Sequence, residues 1–284
     1  MMSRTGRGFV AAWDAEWEPV SGCSHASPGC RNCYAERLAG TLHQQSGSKR
    51  EVTPLYADIT KPVKGRPRFN GVLKTQPPGH ASWTELLRYR GVRRRGVRHP
   101  VLGQGKPRLV FIGSMADLLH EDRPRADIDD VIETITLSEH IGLVLSRRSH
   151  IMADYFRGKP ADVQRQWKRK LLLGFSAENQ KYFDLRWDDM RAIADDGWRT
   201  VCFVTPMIGP VTLPENFLAL GHRTWVICGG EQGKDARPMN ADWAEHLRDQ
   251  CRQSGVPFWM LHGSHKQRIS DDLFIREVPE WPPC

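Results

Sequence analysis

Apolar residues return along the chain at two spacings, and the change from one to the other marks its elements. From residue 107 onward, short runs of consecutive apolar residues alternate with stretches in which they recur every three or four positions. The runs Leu109-Val110-Phe111-Ile112, Ile141 to Leu145, Leu171 to Phe175, Thr200 to Val204, Thr224 to Cys228 and Val256 to Met260 read as buried strands. Between them, Asp127 caps a helix whose Ile128, Val131, Ile132 and Ile135 share one face, and helices are expected over 150–157 and 161–170. A helix over 179–195 turns Phe183, Trp187 and Met190 inward. Asn240 caps another that carries Trp243, Leu247 and Cys251 and stops at Gly255.

Nearer the N-terminus, residues 9–22 with Trp13, Trp17, Pro19 and Val20 suffice for one strand. Residues 31–45 make the helix after it, through Tyr34, Leu38 and Leu42. From 46 to 107 the periodicity fails, Gly, Pro, Lys and Arg are frequent, and only Trp83 to Tyr89 reads as a short helix, so this stretch is expected to be an irregular insertion. About six or seven parallel βα units place the chain in the α/β class as a full or partial barrel. Its 284 residues, 39% of them apolar, can bury a full core, and one domain over 1–284 includes the 46–107 insertion.

Charge adds a partner class to this picture. The formal net charge is +8, which favours a polyanion such as nucleic acid. Six arginines fall within Arg88–Arg98, among them Arg93, Arg94 and Arg95, with Tyr89 able to stack on a base; the plain alternative is a solvated loop. No apolar run approaches a membrane-spanning length, so a soluble, cytoplasmic protein is expected.

Three of the seven cysteines, Cys23, Cys30 and Cys33, occur in one C-x6-C-x2-C loop that Pro28-Gly29 bends back on itself. Three thiolates on a cubane iron–sulfur cluster leave one iron without a protein ligand, where a small molecule can bind. A closed Cys3His zinc site with His25 is the alternative. A zinc nucleobase deaminase is excluded because residues 1–22 hold no histidine to precede the cysteines. An odd cysteine count in a long chain without a secretory signal argues against a disulfide framework. Cys202 and Cys228 lie in expected strands and Cys251 on a helix face, as ordinary core residues do.

Polar residues gather just after the strands, where a barrel of this kind carries its site. They are Gly113 to Asp117, Ser146-Arg147-Arg148, Ser176-Ala177-Glu178-Asn179, Thr205-Pro206-Met207 and Gly229 to Gly233.

With these residues in view, the chain resembles a phage- and prophage-associated three-cysteine family related to the radical S-adenosylmethionine (SAM) enzymes. The likeness rests on Trp17 to Cys23, Ser27 to Glu36, Ser114 to Asp122, Ser176 to Gln180, Gly229-Gly230-Glu231 and Ala236 to Met239. It implies an incomplete TIM barrel whose first loop holds a [4Fe–4S] cluster through Cys23, Cys30 and Cys33, with SAM chelating the fourth iron. By strand order it places Ser114, Met115 and Asp117 near the methionine end of SAM, Ser176 and Glu178 near its ribose or carboxylate, and Gly229, Gly230 and Glu231 beside its adenosine. Asp117, His120 and Glu121 are candidate catalytic residues, and Arg147, Arg148 and Arg237 candidate substrate contacts that could equally be ion-paired. The chain departs from the usual pattern in its longer cysteine spacing, in Asn32 where an aromatic is common, in Thr205-Pro206 for Glu-Pro, and in Leu261-His262-Gly263-Ser264 for Lys-Gln-Trp-Gly.

The expected activity is reductive cleavage of SAM to a 5′-deoxyadenosyl radical that takes hydrogen from nucleic acid or a nucleotide, in base modification or lesion repair. An electron donor such as flavodoxin or ferredoxin would supply the electron. A peptide or small-molecule substrate is one alternative; a non-catalytic, zinc-stabilised nucleic-acid-binding protein is the other.

Overall fold

Every strand-forming run after residue 107 takes its place in one sheet. The computed structural model describes residues 11–44, 54–88, 107–265 and 267–280. Its elements begin with β1 (Ala15–Trp17), β2 (Val20–Ser21), α1 (Tyr34–Gln44), β3 (Thr60–Val63), β4 (Arg66–Phe69), β5 (Lys74–Thr75) and α2 (Ala81–Arg88). The alternating part is β6 (Leu109–Ile112), α3 (Arg125–Leu137), β7 (Ile141–Ser146), α4 (Ser149–Arg157), α5 (Ala161–Trp167) and β8 (Leu171–Ser176). It continues with α6 (Gln180–Asp195), β9 (Thr200–Val204), α7 (Glu215–Leu218), β10 (Thr224–Gly229), α8 (Ala241–Gln253) and β11 (Phe258–His262).

The strands β1, β6, β7, β8, β9, β10 and β11 lie side by side in that order, all parallel, in a seven-stranded half-barrel sheet. Strand alternation sorts its side chains into two cores. Val110, Ile112, Leu173, Phe175, Val204, Val226 and Met260 pack against the helices, with Ile128, Phe183, Trp187 and Leu247. Leu109, Phe111, Leu143, Leu172, Val201, Phe203, Trp225, Ile227 and Trp259 form a separate cluster on the other face. Trp13 plugs that face, 4.8 Å from Phe111 and 6.3 Å from Phe203 between ring centroids. Cys202, Cys228 and Cys251 belong to the helix-side core, as core residues should. The β11 edge is covered by the C-terminal segment, where Met260 N donates to Ile275 O and Glu277 N to Phe258 O.

Several expectations are corrected. Residues 9–22 are not one strand: Pro19 interrupts, so β1 joins the main sheet and β2 pairs antiparallel with β5. Asp127 is not the cap of α3. Pro124 precedes the helix, and Asp127 in its first turn accepts a 2.5 Å hydrogen bond from Thr75 Oγ1. The helix expected over 161–170 ends at Trp167, and the last strand begins at Phe258. The described part of the insertion is ordered, with a β3–β4 hairpin, β5 and α2, whose Ser82 carbonyl accepts from Trp17 Nε1. Tyr89, Arg93, Arg94 and Arg95 lie outside the described residues. No described helix is long and apolar enough to cross a membrane.

Candidate functional site at the cysteine loop

Leaving β2, the loop of residues 23–33 runs across the C-terminal ends of the parallel strands. Pro28 starts a 3-10 turn, Pro28–Cys30, and Cys33 N donates to Cys30 O at 3.2 Å. Cys30 is buried and Cys23 and Cys33 are half-buried, all three as free thiols.

Side chains from three strand ends hold the loop down. The first tether is Glu178, fully buried after β8, which accepts from Ser27 Oγ, from Arg147 Nε at 3.0 Å and from Arg186 Nη1 at 2.9 Å. Gly29 lies directly on that carboxylate, and a Cβ there would run into Glu178 Cγ and Oε1. The second is Glu231, after β10. It accepts from Asn32 Nδ2 at 2.8 Å and from Arg237 at 3.0 Å (Nε) and 2.5 Å (Nη2), while Arg237 Nη2 also donates to Pro28 O at 2.9 Å.

The third tether is Arg148, which follows β7 and is buried. It donates to Asp117 Oδ2 at 3.0 Å, to Ser24 Oγ at 2.7 Å and to Glu121, and its Nη1 stands 3.9 Å from Cys23 Sγ. Asp117 is fixed in turn by Ser146 Oγ at 2.7 Å. His120 Nδ1 accepts from Asp122 N at 3.2 Å, so its proton is on Nε2 and points to Ser24 Oγ, 2.7 Å away.

Around the thiols, Arg147, Arg148, Arg186 and Arg237 are balanced by Asp117, Glu121, Glu178 and Glu231. Burial, then Asp117, pushes the Cys23 thiol up to about 12, with Arg148 opposing; burial also raises Cys33. Burial works against the Arg147 cation, but Cys30, Glu178 and Cys33 outweigh it and its pKa is raised. Burial would raise Glu178, yet Arg147 and Arg186 hold it below the usual carboxylate range; Glu231 is likewise held low by its bonds to Arg237 and Asn32 against burial. The Arg148 hydrogen bond draws Glu121 down to about 2, and burial followed by Arg148 lowers His120.

The structure thus brings Cys23, Cys30, Cys33, Asp117, His120, Glu121, Arg147, Arg148, Ser176, Glu178, Glu231 and Arg237 to one end of the sheet. Ser176 is buried and its carbonyl accepts from Arg186 Nη1 at 2.6 Å. Ser114 and Met115 are engaged below the loop. The Ser114 hydroxyl donates to Glu18 at 2.5 Å, and the Met115 side chain packs with Ala35, Ala39 and Tyr56. The Gly229 carbonyl accepts from Met207 N at 2.8 Å, and Gly230 N donates to His262 O at 2.9 Å.

A family model described as Protein of unknown function (DUF5131) matches residues 10–273, from before β1 to beyond β11. The chain belongs to the DUF5131 family. Neither the curated proteins nor the solved structures contain a match to it.

In this DUF5131 chain, several residues that shape the site carry no signal in the sequence pattern. Ser24, Ser27 and Asn32 are the loop's own anchors, and Arg186 reaches back from α6 to Glu178, which lies before that helix and so outside any i, i+4 pairing. Glu18 is pushed up to about 7 by burial, against the Ser114 and Met115 hydrogen bonds. Beside Gly230, the buried Ser264 hydroxyl is the one buried side-chain oxygen without a hydrogen-bond partner among the described residues.

Proposed function

We propose that this chain is a radical SAM enzyme with an incomplete TIM-barrel fold, in which Cys23, Cys30 and Cys33 hold a [4Fe–4S] cluster and SAM completes the site. The observation that carries the reading is the seating of a three-thiol loop over the C-terminal ends of a parallel half-barrel, tethered at Glu178, Glu231 and Asp117–Arg148. The donor set fits a cluster better than a single ion. Three thiolates give a cubane one ligand on each of three irons and leave the fourth iron for SAM, whereas a closed zinc site needs a fourth side chain beside them. His25, which a closed zinc site would use, is instead 2.7 Å from Glu36 Oε1.

Bound together, the cluster and SAM would supply one-electron cleavage of the sulfonium and abstraction of a substrate hydrogen. The chain's own contribution is to fix the loop, keep water out and place polar groups around it. Arg148 and Arg237 bridge the loop to Asp117 and Glu231 and act as positioning residues. Arg147 holds Glu178 through Nε, and its Nη1 and Nη2 have no hydrogen-bond partner among the described residues, which leaves them for a carboxylate or phosphate. Ser264 Oγ is a second uncommitted polar group. The proposed substrate is nucleic acid or a nucleotide, supported by the +8 charge, with an acidic flavodoxin or ferredoxin as electron donor.

Anaerobic reconstitution tests the reading. The protein should turn brown with about four irons per chain, lose them in Cys23→Ala, Cys30→Ala or Cys33→Ala, keep them in Cys251→Ala, and release 5′-deoxyadenosine from SAM when reduced. A colourless protein with stoichiometric zinc would refute it.

A further inference from the structure

Arg148 and Arg237 are held by carboxylates and by the cysteine loop, so most of the charge that meets a polyanion has to come from elsewhere. The β3–β4 hairpin beside α1 supplies it. Lys61, Lys64, Arg66 and Arg68 fall within eight residues of it, and Arg31 and Lys234 stand nearby. Arg66 pairs with Asp235 at 2.8 Å and Arg68 with Glu36 at 2.7 Å. The side chains of Lys61, Lys64, Arg31 and Lys234 are exposed and have no partner among the described residues. Lys61 sits directly opposite Arg68 across the ladder, and like charges facing each other destabilise an isolated hairpin.

The hairpin is built to be rigid and to stay unpaired. Lys64 and Gly65 have φ of 49° and 72°, the double left-handed turn that makes the tightest hairpin, and it sets a lysine at the tip. Pro62 faces Pro67 across the strands, so neither edge offers a full row of hydrogen-bonding groups to another strand. Its root is fixed to α1. Pro67 packs so closely on Gly40 that a Cβ there would strike the ring, and Phe69 N donates to Glu36 Oε1 at 2.9 Å. Glu36 also accepts from His25, so one buried carboxylate joins the hairpin to the cysteine loop. Arg31, Cys33, Arg66, Arg68 and Lys234 line a single cavity of 180 Å³ between hairpin, loop and the segment after β10.

We propose that this hairpin is a nucleic-acid-docking ribbon, in which Lys61, Lys64, Arg31 and Lys234 contact phosphates and bring the strand to the cysteine-loop mouth. The proposal rests on the nucleic-acid reading above and names the surface that serves it. A two-stranded ribbon enters a major groove about 12 Å wide, and four cations unpaired among the described residues, around one exposed large apolar side chain on the hairpin, Val63, suit phosphates better than a protein partner, whose interface core is apolar.

The test is fluorescence anisotropy of labelled duplex and single-stranded DNA and RNA across a salt series. It compares the native protein, Lys61→Gln/Lys64→Asn, and Arg165→Gln/Arg169→Gln, which removes equal charge at the opposite end of the strands. Asparagine tolerates the left-handed backbone of position 64, and thermal melting checks that both variants fold. The ribbon variant should bind more weakly, and its logarithmic salt slope should fall by about 1.4 to 1.8, for two phosphate contacts at 0.7 to 0.9 each. The Arg165/Arg169 control should match the native protein. Equal slopes for native and ribbon variant overturn the ribbon while leaving the nucleic-acid reading standing; no binding by the native protein at low salt overturns both. Loss of reduction by flavodoxin in the ribbon variant, with nucleic-acid binding unchanged, would assign the surface to an acidic protein instead.

Discussion

Replacing Glu178 by glutamine isolates the tether with the largest expected energetic effect. Glu178 has no exposed surface, and its carboxylate balances Arg186, itself 3% exposed, and the quarter-exposed Arg147. Removing one partner of a buried ion pair costs about 3–5 kcal/mol, because the charge left behind is uncompensated. Glutamine keeps the shape and one acceptor oxygen, so the lower end, about 3 kcal/mol, is expected. For a chain of this size that corresponds to a fall in Tm of roughly 6–12 °C. The pH dependence fixes the sign. Glu178 is held below its ordinary value, so its contribution is present above pH 4.5 and lost as pH falls through its native pKa. Urea unfolding from pH 7 to pH 3 should therefore show a gap between native and Glu178→Gln that narrows in acid. Thiol alkylation gives a second reading. With the Ser27 anchor loosened, Cys30 and Cys33 should react faster, while the buried Cys202, Cys228 and Cys251 stay silent. A gap under about 0.5 kcal/mol at pH 7, or one that widens in acid, would refute the argument that this carboxylate secures the loop.

Glu18 runs the other way. Its pKa rises from 4.5 to about 7, so native stability should decline between those pH values by at most about 3 kcal/mol, and Glu18→Gln should flatten that decline in a pH series of urea midpoints. Gly29→Ala places a methyl against the Glu178 carboxylate and should cost about 1–3 kcal/mol by forcing the loop outward, measured by thermal unfolding together with iron content after reconstitution; a variant with native stability and native iron would contradict the close seat.

The parallel sheet was legible because its strands are buried on both faces. Runs such as Leu171-Leu172-Leu173 have no solvent side to interrupt them, and the helices between keep a clean apolar face. Asn240 caps its helix as expected, and Asn179, expected inside its helix, caps it too, each side chain accepting from a backbone N–H. The N-terminal third resisted because its order does not come from periodicity. β1, β2 and β5 are two or three residues long, and the hairpin alternates prolines with cations, a pattern with no apolar face to read. What holds these pieces is a small number of distant side-chain contacts, Trp17 to the Ser82 carbonyl, Ser21 to Leu55 O, and Glu36 to Arg68.

The site was legible in its membership and not in its wiring. Glu178 and Glu231 stand out as acids at strand ends, but nothing in their neighbourhood along the chain reveals that Ser27 and Asn32 reach them from about 150 and 200 residues away. The arginines make the same point. Sequence gives Arg147, Arg148 and Arg237 one description, cations near a barrel mouth, and only the count of committed nitrogens separates them. Arg148 and Arg237 are bound through Nε and Nη atoms to carboxylates and to the loop, so moving either to a ligand would strand a buried acid, Asp117 or Glu231. Arg147 offers its terminal nitrogens while it keeps its Nε bond to Glu178, because a guanidinium presents its donors in a fixed fork. A substrate phosphate therefore meets at the mouth the terminal nitrogens of Arg147 and the remaining Nη1 of Arg237, and finds its further partners farther out, where the exposed cations of the β3–β4 hairpin lie.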